Sequence, residues 1–405
     1  MPFIKKIPFS PPDIGECEIN SVIEVLRSGW ITTGCKTKLF EKKIADYCGN
    51  AESICMNSAT VCLEMALRIL KIGPGDEVIT CAYTYSATCS VICHVGAKPV
   101  LIDVSKNSFE MDYEKLEIAI NSRTKAIIPV DLGGILCNYK KIFEIVNFKK
   151  KIFLPNNELQ SKIGRIAVIA DSAHSFGARD SAGLMSGKIA DFTAFSFHAV
   201  KNLTTAEGGA LTWTIKHKDI YKNLSLFIQH GQSKSAFEKT IPGNWEYDIL
   251  LPGYKCNMTD INAAIGLSQL EKFDKILEKR EEIIKIYNKY FENENVEIFQ
   301  KNEYIKNSSK HLYILRLNGA DEKIRNKFIL NLAEKGIASN VHYKPLPMFT
   351  AYKNLGFDIK NFHNSYEMYK NEITLPLHTK INTEDAFYIS KIFNNLLKTC
   401  QISLK

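Results

Sequence analysis

Residues 192–214 read FTAFSFHAVKNLTTAEGGALTWT. The runs FTAFSF and GALTWT have the β-branched and aromatic content of strands, and the glycines between them mark a turn. Between the two runs stands one amine, Lys201, preceded by Phe195, Phe197, Ala199 and Val200 and followed by Gly208 and Gly209. Two readings fit it. It is an ordinary lysine closing a buried strand, or it is an amine in a partly dry pocket, where its pKa falls and it can form an imine.

Outward from this stretch, short β-rich runs alternate with helical ones. SICMN precedes the helical ATVCLEMALRILKI, closed by the turn GPGD. EVITCA and KPVLIDV read as strands around the helical SATCSVICHVG, and KAIIPVDL as a strand before the helical YKKIFEIVNF. IAVIADS completes the series with the two opening runs. Apolar runs this continuous, alternating with helices, predict an α/β architecture with a mostly parallel sheet covered on both faces. After LPGYKCNMTD the texture changes to one long amphipathic helix over about 261–290, a strand at HLYILRL and helices near 321–335 and 383–397. We expect a large domain over 1–255 and a smaller α+β domain over 256–405. The polar stretch 147–165 reads as a surface insertion.

Composition narrows the class. The 405 residues are 45% hydrophobic and 24% charged, as in ordinary soluble proteins, and suffice for two cores. No apolar run approaches the roughly 20 residues that span a bilayer, and MPFIKKIPFSPPD lacks the pattern of a signal peptide, so a cytoplasmic protein away from membranes is expected. The 11 cysteines are odd in number and form no CxxC pair, which argues against a disulfide framework or a zinc module. The nearest approach to a ligand cluster, Cys89, Cys93 and His94, lies among apolar residues, so no metal is expected. The net charge of +8 is dispersed through Lys/Glu-mixed helices, with one short run at 149–151 and no nucleic-acid-binding signature. Such an excess suits a small anionic substrate such as a nucleotide-sugar diphosphate.

Four local signals carry chemistry. Asp171 ends a strand, where parallel sheets face their ligand crevice, with His174 three residues on; it can hold a cationic ring nitrogen or cap the next turn. Asn57, Ser58, Ala59 and Thr60 open a helix, a start that serves equally as an anion site or a plain N-cap. Tyr83 and Tyr85 end another strand, as stacking aromatics or as core. With Lys201 these match the four needs of pyridoxal phosphate: an imine-forming lysine, an acid that keeps the pyridine protonated, a phosphate site and a stacking ring.

The blocks SGWITTG (28–34), GDEVIT (75–80), ADSAHSFGA (170–178), SFHAVKNLTTAEGGA (196–210) and PGYKCNMTDINAAIGLSQL (252–270) resemble those of the DegT/DnrJ/EryC1/StrS aminotransferases, and the likeness covers nearly the whole chain. It implies the fold type I architecture of aspartate aminotransferase. By position, Lys201 resembles the Schiff-base lysine, Asp171 the partner of the pyridine nitrogen, and His174 the residue near the cofactor's phenolic oxygen. Tyr85 matches the stacking aromatic, and Ala59, Thr60 and Ser196 match phosphate contacts. Asn257 matches an asparagine lent by the other subunit of a homodimer, although many relatives carry their asparagine where Lys255 stands. His311 and His342 are either sugar-pocket or packing residues.

The resemblance implies amino transfer from L-glutamate to a UDP- or dTDP-linked 4-keto sugar, for amino-sugar and surface-polysaccharide synthesis. The blocks are most similar to those of enzymes forming UDP-4-amino-4-deoxy-L-arabinose, but NVHYKPLPMFTAYKNLGF departs from that pattern. A 3-keto substrate is an alternative. A sugar dehydratase on the same fold is another, but those relatives carry histidine in place of the lysine, so Lys201 argues against it.

Overall fold

The apolar runs of the first half of the chain pair into one sheet. The computed structural model describes residues 5–234, 239, 242–292 and 295–399. Its first seven strands are β1 (Ser53–Met56), β2 (Glu77–Cys81), β3 (Lys98–Ile102), β4 (Thr124–Ile128), β5 (Ala167–Asp171), β6 (Phe192–Ser196) and β7 (Gly209–Trp213), ordered β1-β7-β6-β5-β4-β2-β3. The five strands from β3 to β6 in that order run parallel; β7 is antiparallel to both β6 and β1. Pro99 is tolerated in β3 because that strand is the sheet's edge. This is the expected mostly parallel α/β sheet.

Helices α1 (Glu16–Ser28) and α2 (Cys35–Cys48) precede the sheet. Connections through α3 (Ala59–Ile69), α4 (Ser86–His94), α5 (Tyr113–Ala119), α6 (Tyr139–Phe148) and α7 (Glu158–Ile163) cover its faces, and α8 (Ile220–Ile228) follows β7. Sequence neighbours divide between the two sides: Val78, Ile128 and Ile169 belong to one buried cluster, Ile79, Ile127 and Val168 to the other. Each such side chain contributes about 1.5–3 kcal/mol on burial, which explains why the strands read as continuous apolar runs.

The predicted long helix is two. α9 (Asp260–Glu271) ends at Lys272, whose φ of −104° and ψ of 7° leave the helical range, and α10 (Phe273–Phe291) follows. The small residues Ala263, Ala264 and Gly266 bury α9 against α1 and α2, whereas Ile284, Tyr287 and Phe291 of α10 enter a different core. One straight helix cannot serve both. The stretch 147–165 is also more than a surface loop: Gln160 is buried and its Nε2 donates to the Leu70 carbonyl at 2.6 Å, while the Asn156 amide donates to Asp76.

The remainder forms an antiparallel sheet ordered β10-β9-β8, from β8 (Val296–Ile298), β9 (Tyr313–Leu317) and β10 (Glu372–Leu375). The intervening helices are α11 (Asn302–Ile305), α12 (Glu322–Glu334), α13 (Thr350–Asn354) and α14 (His363–Tyr369), with α15 (Thr383–Thr399) last. Phe328 of α12 and Phe393 of α15 close its core. Leu312 and Ile314 pack instead into the large sheet's cluster, which brings residues 340–343 to the mouth of that sheet.

Candidate active site

A cavity of about 440 Å³ lies where β5 and β6 end, between the starts of α3 and α4 and the segment 340–343. Of the residues expected at the site, Ala59, Thr60, Tyr85, Asp171, His174, Ser196 and Lys201 all line it. Asn257 does not: its amide donates to Thr33, and its oxygen accepts from Lys255 Nζ at 2.6 Å. His342 lines the cavity, whereas His311 backs it, its ring 4.5 Å from that of His174. Tyr83 is fully buried against Phe109, in the core reading rather than the stacking one.

Lys201 follows β6 on a turn in which its N–H donates to the His198 carbonyl at 2.9 Å. Its Nζ makes no hydrogen bond or ion pair among the described residues. Burial brings the amine down to about 8, against the pull of the Asp171 charge. Asp171 is itself buried, which raises its carboxyl above the ordinary range; Thr88 Oγ1, donating at 2.6 Å, and the Ala173 N–H at 3.3 Å oppose that shift. The Thr88 hydroxyl in turn lies 2.8 Å from that of Thr84.

His174 is held at both nitrogens. Gly133 N–H donates to Nδ1 at 3.2 Å, so the neutral ring carries its proton on Nε2, 3.1 Å from the Tyr343 hydroxyl. Burial, then the charges of Lys201 and His342, keep it well below its ordinary pKa and therefore neutral. Tyr85, 61% exposed, precedes α4, with its ring centroid 5.7 Å from that of Tyr343.

At α3, Ser58 Oγ accepts from Val61 N–H at 3.3 Å, leaving the N–H groups of Ala59 and Thr60 without an acceptor inside the helix. The start of β7 presses against this helix end: a Cβ on Gly209 would stand 2.5 Å from the Ser58 carbonyl carbon and 2.6 Å from Ala59 N. Only glycine allows that approach. The helix start is thereby a cradle of N–H donors for an anion, with the Ser196 hydroxyl beside it on the cavity wall.

Sequence reasoning passed over Thr88, Asp131 and Tyr343. Asp131 lines the cavity just beyond β4, accepts from Ser172, Ser175, Tyr139 and the Cys137 N–H, and is raised by burial to about 6. The strand-end argument that singled out Asp171 applies equally to it. Thr84 and Thr88, four apart at a helix start, were a weaker signal. Nothing local marks Tyr343. Cys93 and His94 are exposed on α4 while Cys89 is buried, and no metal-binding group of His, Cys, Asp and Glu occurs among the described residues. None of the described helices is long and apolar enough to cross a membrane.

An amine unpaired among the described residues, a buried carboxylate that gains from a cationic partner and a helix start that takes an anion fit pyridoxal phosphate. Comparison with known proteins agrees. Residues 12–394 match the model of the DegT/DnrJ/EryC1/StrS aminotransferase family. The putative sugar aminotransferase Spr1654 of Streptococcus pneumoniae, solved in its PMP form, superposes with a TM-score of 0.94 at 50% identity, over 98% of this chain and 100% of that one. PseC of Helicobacter pylori, an aminotransferase of pseudoaminic acid biosynthesis, superposes at 0.84 and 28% identity over 98% and 100%. The spore coat polysaccharide biosynthesis protein SpsC of Bacillus subtilis is 35% identical over 97% of each chain. The chain belongs to the DegT/DnrJ/EryC1/StrS aminotransferase family and is a pyridoxal-phosphate-dependent aminotransferase.

Proposed function

We propose that this enzyme transfers the amino group of L-glutamate to a nucleotide-linked keto sugar, most readily a UDP- or dTDP-4-keto sugar, in the synthesis of surface polysaccharide. Family membership and the sugar-directed relatives support the substrate class. The observation that carries the catalytic reading is Lys201, a half-buried amine whose Nζ has no hydrogen-bond or ion-pair partner among the described residues and whose pKa is brought down to about 8.

The cofactor, when bound, supplies an electrophilic carbonyl carbon and an electron sink. Lys201 would hold it covalently and, as a free amine, would serve as the acid/base that moves a proton between substrate and cofactor carbons; an amine near pKa 8 can both take and return a proton at neutral pH. Asp171, aimed by Thr88, would hold the positive charge of the ring nitrogen. Neutral His174, with Nε2–H on the side of Tyr343, would offer a donor to the cofactor's phenolic oxygen. The Ala59 and Thr60 N–H groups and Ser196 would hold its phosphate, and Tyr85 would stack on its ring. In this reading the protein is a cytoplasmic homodimer whose Asn257 reaches the phosphate bound by the other subunit.

The test gives the reconstituted enzyme nitrogen-15 L-glutamate and a panel of UDP- and dTDP-linked 3-keto and 4-keto sugars. We expect a labelled amino sugar from a 4-keto member. Label appearing in the 3-amino product of a 3-keto member would move the position of amination. Deoxygenated sugar without label would favour the dehydratase, and no labelled sugar across the panel would overturn the substrate class.

A further inference from the structure

His342 faces the cavity from the small-sheet side, and what stands behind it is a buried acid. Its segment runs beside β10: Asn340 and Thr374 exchange backbone hydrogen bonds of 3.0 and 2.8 Å. The His342 backbone N–H donates to Glu372 Oε2 at 2.9 Å. Its ring Nδ1 lies 2.9 Å from Thr374 Oγ1, and that hydroxyl lies 2.6 Å from Glu372 Oε1. Phe9 stacks on the imidazole, centroids 5.6 Å apart at 19°, which opposes a ring flip. Nε2 makes no hydrogen bond among the described residues, and the residue lines the cavity.

The hydroxyl of Thr374 owns one proton, so the chain has two orders. With Glu372 ionised, Thr374 donates to it and must accept from Nδ1–H, which leaves Nε2 a bare acceptor. With Glu372 protonated on Oε1, the acid donates to Thr374, Thr374 donates to Nδ1, and Nε2 carries the proton. Passage between the two moves one proton from the cavity onto Nε2, the Nδ1 proton onto Thr374 and the Thr374 proton onto Glu372. The imidazole stays neutral throughout.

We propose that Thr374 and Glu372 are positioning residues that set the tautomer of His342, so that one cavity wall offers an acceptor to an amine-bearing substrate and a donor to a carbonyl-bearing one. This rests on the aminotransferase reading, in which a single cavity receives both kinds of partner in turn.

Glu372 can titrate in the working range: burial raises it to about 8, opposed by Thr374, the His342 N–H and Arg325. The imidazole resists becoming a cation, since burial and then Lys201 lower it to about 3. The other titratable groups around the relay are Tyr83 and Tyr343, Arg316 across the strand pair, and His174, His311 and Lys201 around the cavity. The Arg325 guanidinium is bound to the Glu372 and Tyr369 carbonyls rather than to the Glu372 carboxylate.

The experiment is nitrogen-15 NMR of histidine-labelled holoenzyme between pH 6 and 10, with the His342 signals assigned by their loss in His342→Asn. We expect a neutral ring whose protonated nitrogen changes from Nε2 to Nδ1 as pH rises. Glu372→Gln should abolish that change, Thr374→Val should uncouple it, and Thr374→Ser should restore it. Thermal melts show which variants fold; where Glu372→Gln does not, the two Thr374 variants decide. A His342 that becomes a cation across this range, or a tautomer that Thr374→Val leaves coupled to pH, would overturn the relay. Because no substrate is present, that failure is separate from a failure of the proposed reaction. For L-glutamate turnover we expect Thr374→Val to lose about 3- to 10-fold in kcat/KM, the effect of one hydrogen bond, and Thr374→Ser to recover it. Equal loss in both variants would reduce the contact to packing.

Discussion

Lys201 and Lys38 line two different clefts of this protein, and their surroundings push the two amines in opposite directions. Lys38 lies in the larger cleft, of about 760 Å³, with Tyr221 beside it. Its Nζ is 3.2 Å from Glu41 Oε2 and bonded to the Tyr221 hydroxyl. Burial works against its charge, but the Glu41 carboxylate and the Tyr221 phenol outweigh it and hold the amine above its ordinary value. Lys201 lines the smaller cavity with no such partner in contact, and burial takes it the other way, to about 8. Cleft size therefore says little about the site. A carboxylate in contact keeps one amine charged; among the described residues none contacts the other, and burial lowers it.

The widest break in that comparison comes from deletion. Lys201→Ala should lower transamination by about 10²–10⁴-fold or more, since it removes the proton-transferring group, while Lys38→Ala should stay within about threefold. Borohydride treatment of the yellow holoenzyme should fix the cofactor to the peptide bearing Lys201; the adduct on Lys38 or another lysine would reverse the assignment. Asp171→Asn tests the other half of the pairing. The amide leaves a buried cation without its countercharge, about 3–5 kcal/mol, so turnover should fall by roughly 150- to 5,000-fold with the cofactor still bound. Near wild-type turnover would remove Asp171 from the mechanism.

Asn257 sharpens the comparison across the proposed dimer. It lies outside its own cavity and donates to Thr33, which also lines the Lys38 cleft. If it serves the partner's phosphate, Asn257→Ala should weaken cofactor affinity about 10- to 150-fold, the worth of one hydrogen bond to a charged group. Mixing it with Lys201→Ala after complete subunit exchange should raise activity above either parent, because one site of each hybrid carries neither defect. No recovery would assign Asn257 a role within its own chain, such as orienting the turn before α9. The smallest effect is kinetic. Capture of pyridoxal phosphate by apoprotein needs the neutral amine, so its rate should climb with pH and level off above about 8. A climb continuing toward the ordinary lysine range would mean that burial does not depress Lys201.

Much of the site was legible because its parts are local. Lys201, Asp171 and the start of α3 each lie at a strand end or helix start that the apolar runs announce, and the blocks around them carry the family likeness. The errors were also local in origin: amphipathic periodicity continues through Lys272, so it could not reveal that α9 and α10 bury their faces in different places. Likewise, a polar stretch at 147–165 reads as solvated until Gln160 is seen bonded to Leu70.

Most strands and helices, and the residues proposed as reactive amine and acid, could be read from the sequence alone, since period, turn residues and motif act over a few neighbours. Tertiary structure alone decided which groups tune them. Thr88 meets Asp171, Tyr343 meets His174, and Glu372 reaches His342 through Thr374, over separations of 83, 169 and 30 residues. Hydrogen bonding and desolvation depend on distance in space, and no pattern along the chain encodes that distance.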